Sequence, residues 1–218
     1  MIKFAPEGYP FIIIFFVITV IAFISGGTLM ALLPSAITLF MLYFFRDPER
    51  TIPVGENIIV SPADGKVILI KEGLKDSLSE FPDLLKENSH GFTKISIFMS
   101  PLNVHVNRSP CDGVVESVVR KPGKFLSAFK HEASLENERI AILLNTRFGK
   151  VIVCQVAGSV ARRAVCRVKQ GDILKKGERF GIIKFSSRLD VYLPVNTKIK
   201  VKIGDKVKAG ETAIGEIT

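Results

Sequence analysis

The sequence predicts a mainly β domain behind an N-terminal hydrophobic helical hairpin, and three observations support that class. Residues 8–45 carry no charged side chain, whereas the rest of the chain is charged and ordinary in composition. From Ile58 onward, short β-branched runs alternate with Gly, Asp and Pro punctuation, a strand-and-turn pattern with little room for long helices. Two short corners also recur. Ser61-Pro-Ala-Asp-Gly-Lys-Val67 returns as Ser109-Pro-Cys-Asp-Gly-Val-Val115, and Gly171-Asp-Ile-Leu-Lys-Lys-Gly-Glu178 returns as Gly204-Asp-Lys-Val-Lys-Ala-Gly-Glu211.

As one helix the apolar run 11–45 would be about 50 Å long, well beyond a hydrocarbon core of about 30 Å. Gly26, Gly27 and Pro34 interrupt it, which predicts two helices near 10–25 and 28–45, a hairpin that crosses the bilayer or dips into one leaflet. The expected organisation is a membrane-anchoring segment, 1–45, and a β domain, 46–218. A cleaved signal peptide does not fit, because Lys3 is the only positive side chain ahead of the run, Glu7 offsets it, and the run is too long.

The net charge of +9 suits attraction to anionic lipid headgroups. With no Trp, and with Lys and Arg scattered through strand-like segments, a nucleic-acid partner is not expected. Cys111, Cys154 and Cys166 are odd in number and lack CxxC spacing, so neither a disulfide framework nor a zinc site is indicated, and no metal is expected. They suit a reducing compartment.

Strands are expected around 58–60, 66–70, 94–98, 114–119, 140–144 and 151–153, with 71–92 an insertion holding one short helix. The Gly-Asp-x-x-Lys-x-Gly-Glu corners resemble the turns of lipoyl- and biotinyl-type domains, in which Gly takes the left-handed position and Asp accepts from turn amides. A barrel-sandwich-hybrid-like β domain follows. A carrier function does not, since the chain has no Met-Lys or Lys-Met pair to be modified.

Of three histidines, His90 and His131 read as solvated. His105 lies in Asn103-Val-His-Val-Asn107, where alternation puts Asn103, His105 and Asn107 on one face and Val104 and Val106 on the other. Taken alone, that segment fits a half-buried strand with a solvated polar face. Asp64 and Asp112 sit in Pro-x-Asp-Gly corners, which is ordinary turn chemistry. Gly158-Ser159 is by itself a turn pair, but it closes the apolar run 151–157, a place where backbone strain can be held.

Together, Ser61-Pro-Ala-Asp-Gly-Lys-Val67, Asn103-Val-His-Val-Asn-Arg-Ser-Pro110, Ser134-Leu-Glu-Asn-Glu-Arg139 and Gln155-Val-Ala-Gly-Ser-Val-Ala-Arg-Arg163 resemble the ordered motifs of phosphatidylserine decarboxylase proenzymes of the short, archaeal-type form. The resemblance implies that the Ser159 hydroxyl attacks the Gly158 carbonyl, that the resulting ester eliminates, and that residue 159 becomes a covalent pyruvoyl group. A large chain, 1–158, and a small chain, 159–218, would then stay associated. It implies an Asp-His-Ser set at Asp64, His105 and Ser159, because a hydroxyl needs a base and the base an orienting partner. The pyruvoyl ketone would form a Schiff base with the serine headgroup amine and accept the electrons released with CO₂.

His105 is the candidate for reprotonating the product. Longer relatives carry a further histidine where this chain has Leu102. The expected substrate is a phospholipid held in the membrane, with the catalytic domain on the cytoplasmic face of the cell membrane. Three alternatives remain open here: the ether-linked lipid archaetidylserine, which shares the headgroup; a homo-oligomeric state; and a non-catalytic membrane-tethered adaptor in which Gly158-Ser159 is only a turn.

Overall fold

The computed structural model describes residues 3–74, 91–123, 137–158, 164–184 and 187–217. His90, His131, Ser159 and the insertion helix expected within 71–92 lie outside these residues, although 71–74 are strand. Two compact units emerge, Met1–Glu49 and Arg50–Thr218.

In the first unit, helix α1 spans Tyr9–Phe44 but breaks at Gly27, whose φ of 68° and ψ of −162° no helix contains. The break reverses the chain. Phe11 stacks on Phe45 with ring centroids 5.6 Å apart, and the hydroxyls of Thr19 and Thr38 meet at 3.1 Å between the arms. A straight helix would hold those threonines almost 30 Å apart, so the expected hairpin is present.

Each arm is about 25 to 27 Å long, close to the thickness of a hydrocarbon core. The outer faces are apolar and open, with Ile24 78% and Leu29 81% exposed, which suits membrane association. The feet are joined by an antiparallel bridge between Phe4 and Arg46 and by the Ala5 amide donating to the Phe45 carbonyl at 2.8 Å, so both ends leave on one side. There the Arg46 guanidinium lies 3.7 Å from the Tyr43 ring centroid.

The second unit has strands and turns and no helix among the described residues. β1 Ile58–Val60, β2 Gly65–Leu74, β3 Phe92–Met99, β4 Val106–Arg108, β5 Gly113–Lys121, β6 Arg139–Thr146 and β7 Gly149–Ala157 precede the Gly158-Ser159 pair. β8 Ala164–Cys166, β9 Ile173–Leu174, β10 Arg179–Ile183, β11 Ser187–Pro194, β12 Thr197–Ile199, β13 Lys206–Val207 and β14 Ala213–Ile217 follow it. An eight-stranded antiparallel sheet, β13-β2-β3-β11-β7-β6-β5-β9, curls into a half-barrel beside two three-stranded sheets, β1-β14-β12 and β4-β10-β8. The main core fills its concave side with Ile95, Ile97, Val153, Leu189 and Val191. Alternation sends Cys154, Val156 and Tyr192 to a second cluster on the other face.

The recurring corners interlock in duplicate. The Ser61 carbonyl accepts from the Gly210 amide and the Ser109 carbonyl from the Gly177 amide, both at 2.8 Å. Asp64 Oδ1 accepts from the Ala209 amide and Asp112 Oδ1 from the Lys176 amide, both at 2.7 Å. Gly171 and Gly204 take φ of 92° and 102°, and the aspartate after each accepts from a turn amide, Asp172 from Lys169 at 2.9 Å and Asp205 from Lys202 at 3.0 Å. The corners also hold each other, with the Val60 amide on the Pro110 carbonyl and the Arg108 amide on the Pro62 carbonyl.

Candidate active site

β7 is buried along most of its length and ends at Ala157, with Gly158 buried just beyond. Ala157 pairs with Ser187 on β11, which pairs with Met99 on β3. Past Met99 the chain turns, and Asn103 ties that turn by accepting at Oδ1 from the Ser100 amide at 2.9 Å and the Ser100 hydroxyl at 2.8 Å. Leu102 sits on this turn 64% exposed.

His105 follows and is fully buried. Its Nδ1 lies 2.9 Å from the Asn103 carbonyl. A carbonyl only accepts, so Nδ1 donates, and in the neutral ring Nε2 is the nitrogen that can act as a base. Asn107 is buried too, so the polar face of this segment is not solvated as the segment alone suggests: it packs inside the domain because Gln155 supplies a polar partner. Gln155 donates to Asn107 Oδ1 at 2.8 Å and to the Val165 carbonyl at 3.3 Å. β7, which leads into Gly158, is thereby bonded to β4, which begins one residue after His105.

Asp64 is placed differently. Arg50 grips both of its carboxylate oxygens, at 3.0 and 2.8 Å, and Ala209 donates to one of them. Its hydrogen bonds therefore go to these groups, and the Asn103 carbonyl is the partner that orients His105. Asp64 reaches the same neighbourhood through its corner, where Pro62 holds the Arg108 amide at 3.0 Å. Asp112 shares the backbone contact and is exposed, so it is a turn residue only.

On the opposite face of the sheet, Arg188 and Arg139 flank Val156 in register. Asp190 forms ion pairs with Lys94 at 3.0 Å and with Arg188 at 2.9 Å. Burial alone would raise the Asp190 carboxyl, but Lys94 and then Arg188 hold it below its ordinary value. The three cysteines are free and buried, and burial, helped by Asp112, pushes the Cys111 thiol up to about 12.

Sequence reasoning did not single out Gln155, Arg50 or Asn137. Gln155 had a signal, a polar residue interrupting an apolar strand. Arg50 had none, because it reads as the charged flank of the apolar segment.

Comparison with known proteins makes the chain an enzyme, a decarboxylase of phospholipid metabolism. The chain is a member of the phosphatidylserine decarboxylase family, whose model matches residues 37–215. It is 49% identical over 213 residues to the phosphatidylserine decarboxylase proenzyme of Syntrophus aciditrophicus, covering 97% of this chain and 96% of that protein. The proenzymes of Geotalea uraniireducens and Geobacter metallireducens are 46% and 45% identical, each over 97% of this chain and 95% of their own. The adaptor alternative is thereby set aside.

Proposed function

We propose that the chain cuts itself between Gly158 and Ser159 and then decarboxylates the serine headgroup of phosphatidylserine to give phosphatidylethanolamine. The observation that carries this reading is His105: buried, with Nδ1 donating to the Asn103 carbonyl, and two residues before Asn107, which Gln155 ties to the strand leading into Gly158. Val153 and Ala157 belong to the main core, and Gln155 of the same strand donates to Asn107.

His105 Nε2 takes the Ser159 hydroxyl proton as oxygen attacks the Gly158 carbonyl. The peptide C–N bond breaks, and an ester joins the two residues. Loss of the Ser159 α-proton expels Gly158 as a carboxylate, and water then releases ammonia to leave a pyruvoyl group at 159. A buried site suits this sequence, because it keeps bulk water from the ester until elimination. Asp64 joins as the positioning member, held by Arg50 and fixing the corner that supports β4.

The pyruvoyl ketone supplies an electron sink for decarboxylation. His105 is the proton donor to the product carbon. The two chains stay joined because β11, from the small chain, lies between β3 and β7 of the large chain and pairs with both. The apolar hairpin supports attachment to the membrane, and three free cysteines favour its cytoplasmic face.

Denaturing electrophoresis tests the reading. Wild-type protein runs as two fragments and Ser159→Ala as one. A wild-type chain that stays whole while active would overturn it.

A further inference from the structure

Asn137 belongs to the Ser134–Arg139 motif, for which the reaction above has no use. Its side chain is buried, 1% exposed, and its Nδ2 donates to the Ala157 carbonyl at 2.6 Å. The Ala157 amide is held as well, donating to the Glu138 carbonyl at 2.9 Å. The last β6–β7 pair is Arg139 with Val156, so Asn137 acts where the named strand has ended and a side-chain amide continues the support.

The Ala157 carbonyl belongs to the rigid peptide plane that enters Gly158. Fixing that oxygen fixes the plane, leaving only the two backbone dihedrals of Gly158 between a clamped unit and the carbonyl that Ser159 attacks. A nucleophile must meet its carbonyl within a narrow range of distance and angle, and a shift of about 1 Å costs on the order of a hundredfold in rate.

We propose that Asn137 is a positioning residue for self-cleavage, clamping the peptide plane ahead of the Gly158–Ser159 bond. This rests on the self-cleavage reading above. The role needs a donor: an aspartate of the same shape presents only acceptors to the carbonyl, and alanine presents nothing.

The test follows the intact full chain after synthesis in a cell-free system and records the half-time of fragment appearance. Asn137→Ala and Asn137→Asp should each cut roughly tenfold to a hundredfold more slowly than wild type, with the short donor of Asn137→Ser between them and wild type. Melting curves in a Ser159→Ala background separate slow cutting from misfolding, and the order Asn, Ser, then Asp follows donor capacity rather than shape. Cutting by Asn137→Asp at the wild-type rate, or by Asn137→Ala within about twofold of it, overturns the clamp. A wild-type chain that never cuts removes the underlying reading instead, and the clamp with it.

Discussion

Gln155 on β7 donates to Asn107 on β4 at 2.8 Å inside the β domain, and its second hydrogen bond reaches the Val165 carbonyl on β8. Three strands meet at one side-chain amide; Asn107 is two residues from His105, and Gln155 is three from Gly158.

Gln155→Leu should lower stability by about 1 to 3 kcal/mol, because the buried Asn107 oxygen and Val165 carbonyl lose their donor. Denaturant titration in a Ser159→Ala background measures it, and fragment appearance in the otherwise native chain should slow. An unchanged midpoint would show that the bond contributes nothing.

Arg50 is the counter-charge of Asp64, with its side chain only 7% exposed. Arg50→Ala leaves Asp64 buried with one backbone donor, a loss of about 3 to 5 kcal/mol. Arg50→Lys keeps the charge but not the two-point grip and should fall between. The matching change in the other corner, Asp112→Asn, should cost far less, since Asp112 is exposed. Equal losses at the two corners would contradict the asymmetry.

Asp190 has a folded pKa below its unfolded value, so its contribution to stability is complete above the ordinary carboxylate range and is lost as pH falls through the depressed folded value. Asp190→Asn strands Lys94 and Arg188 in a buried site, with an expected loss of about 3 to 5 kcal/mol near neutral pH. The gap between wild type and variant, followed by chemical denaturation, should narrow only on acidification below about pH 4. A gap that widens there would reverse the sign.

Much of the fold is readable in local chemistry. Gly27 breaks the apolar run where the hairpin turns, and the repeated Gly-Asp corners make their turn bonds at Asp172 and Asp205 as expected. β4, β8 and β12 escaped notice because they are only three residues long, and β9 and β13 are two-residue pairings created by the interlocking corners rather than by apolar runs. β2 runs on to Leu74, past the point where rising Lys and Glu content suggested an insertion. The burial of Asn107 was not readable either, because its partner Gln155 is 48 residues away along the chain. For Asp64 the same limit applies, since only folding brings Arg50 and Ala209 onto one carboxylate.

The central claim is that His105 prepares Ser159 to break its own peptide bond, and intact mass spectrometry of wild type and His105→Ala tests it most directly. Wild type should give two polypeptides, the smaller beginning at residue 159 with the mass of a pyruvoyl group in place of serine, while His105→Ala should remain one full-length chain that melts cooperatively. An active wild-type enzyme with serine intact at 159, or a His105→Ala chain that cuts at the wild-type rate, would contradict it.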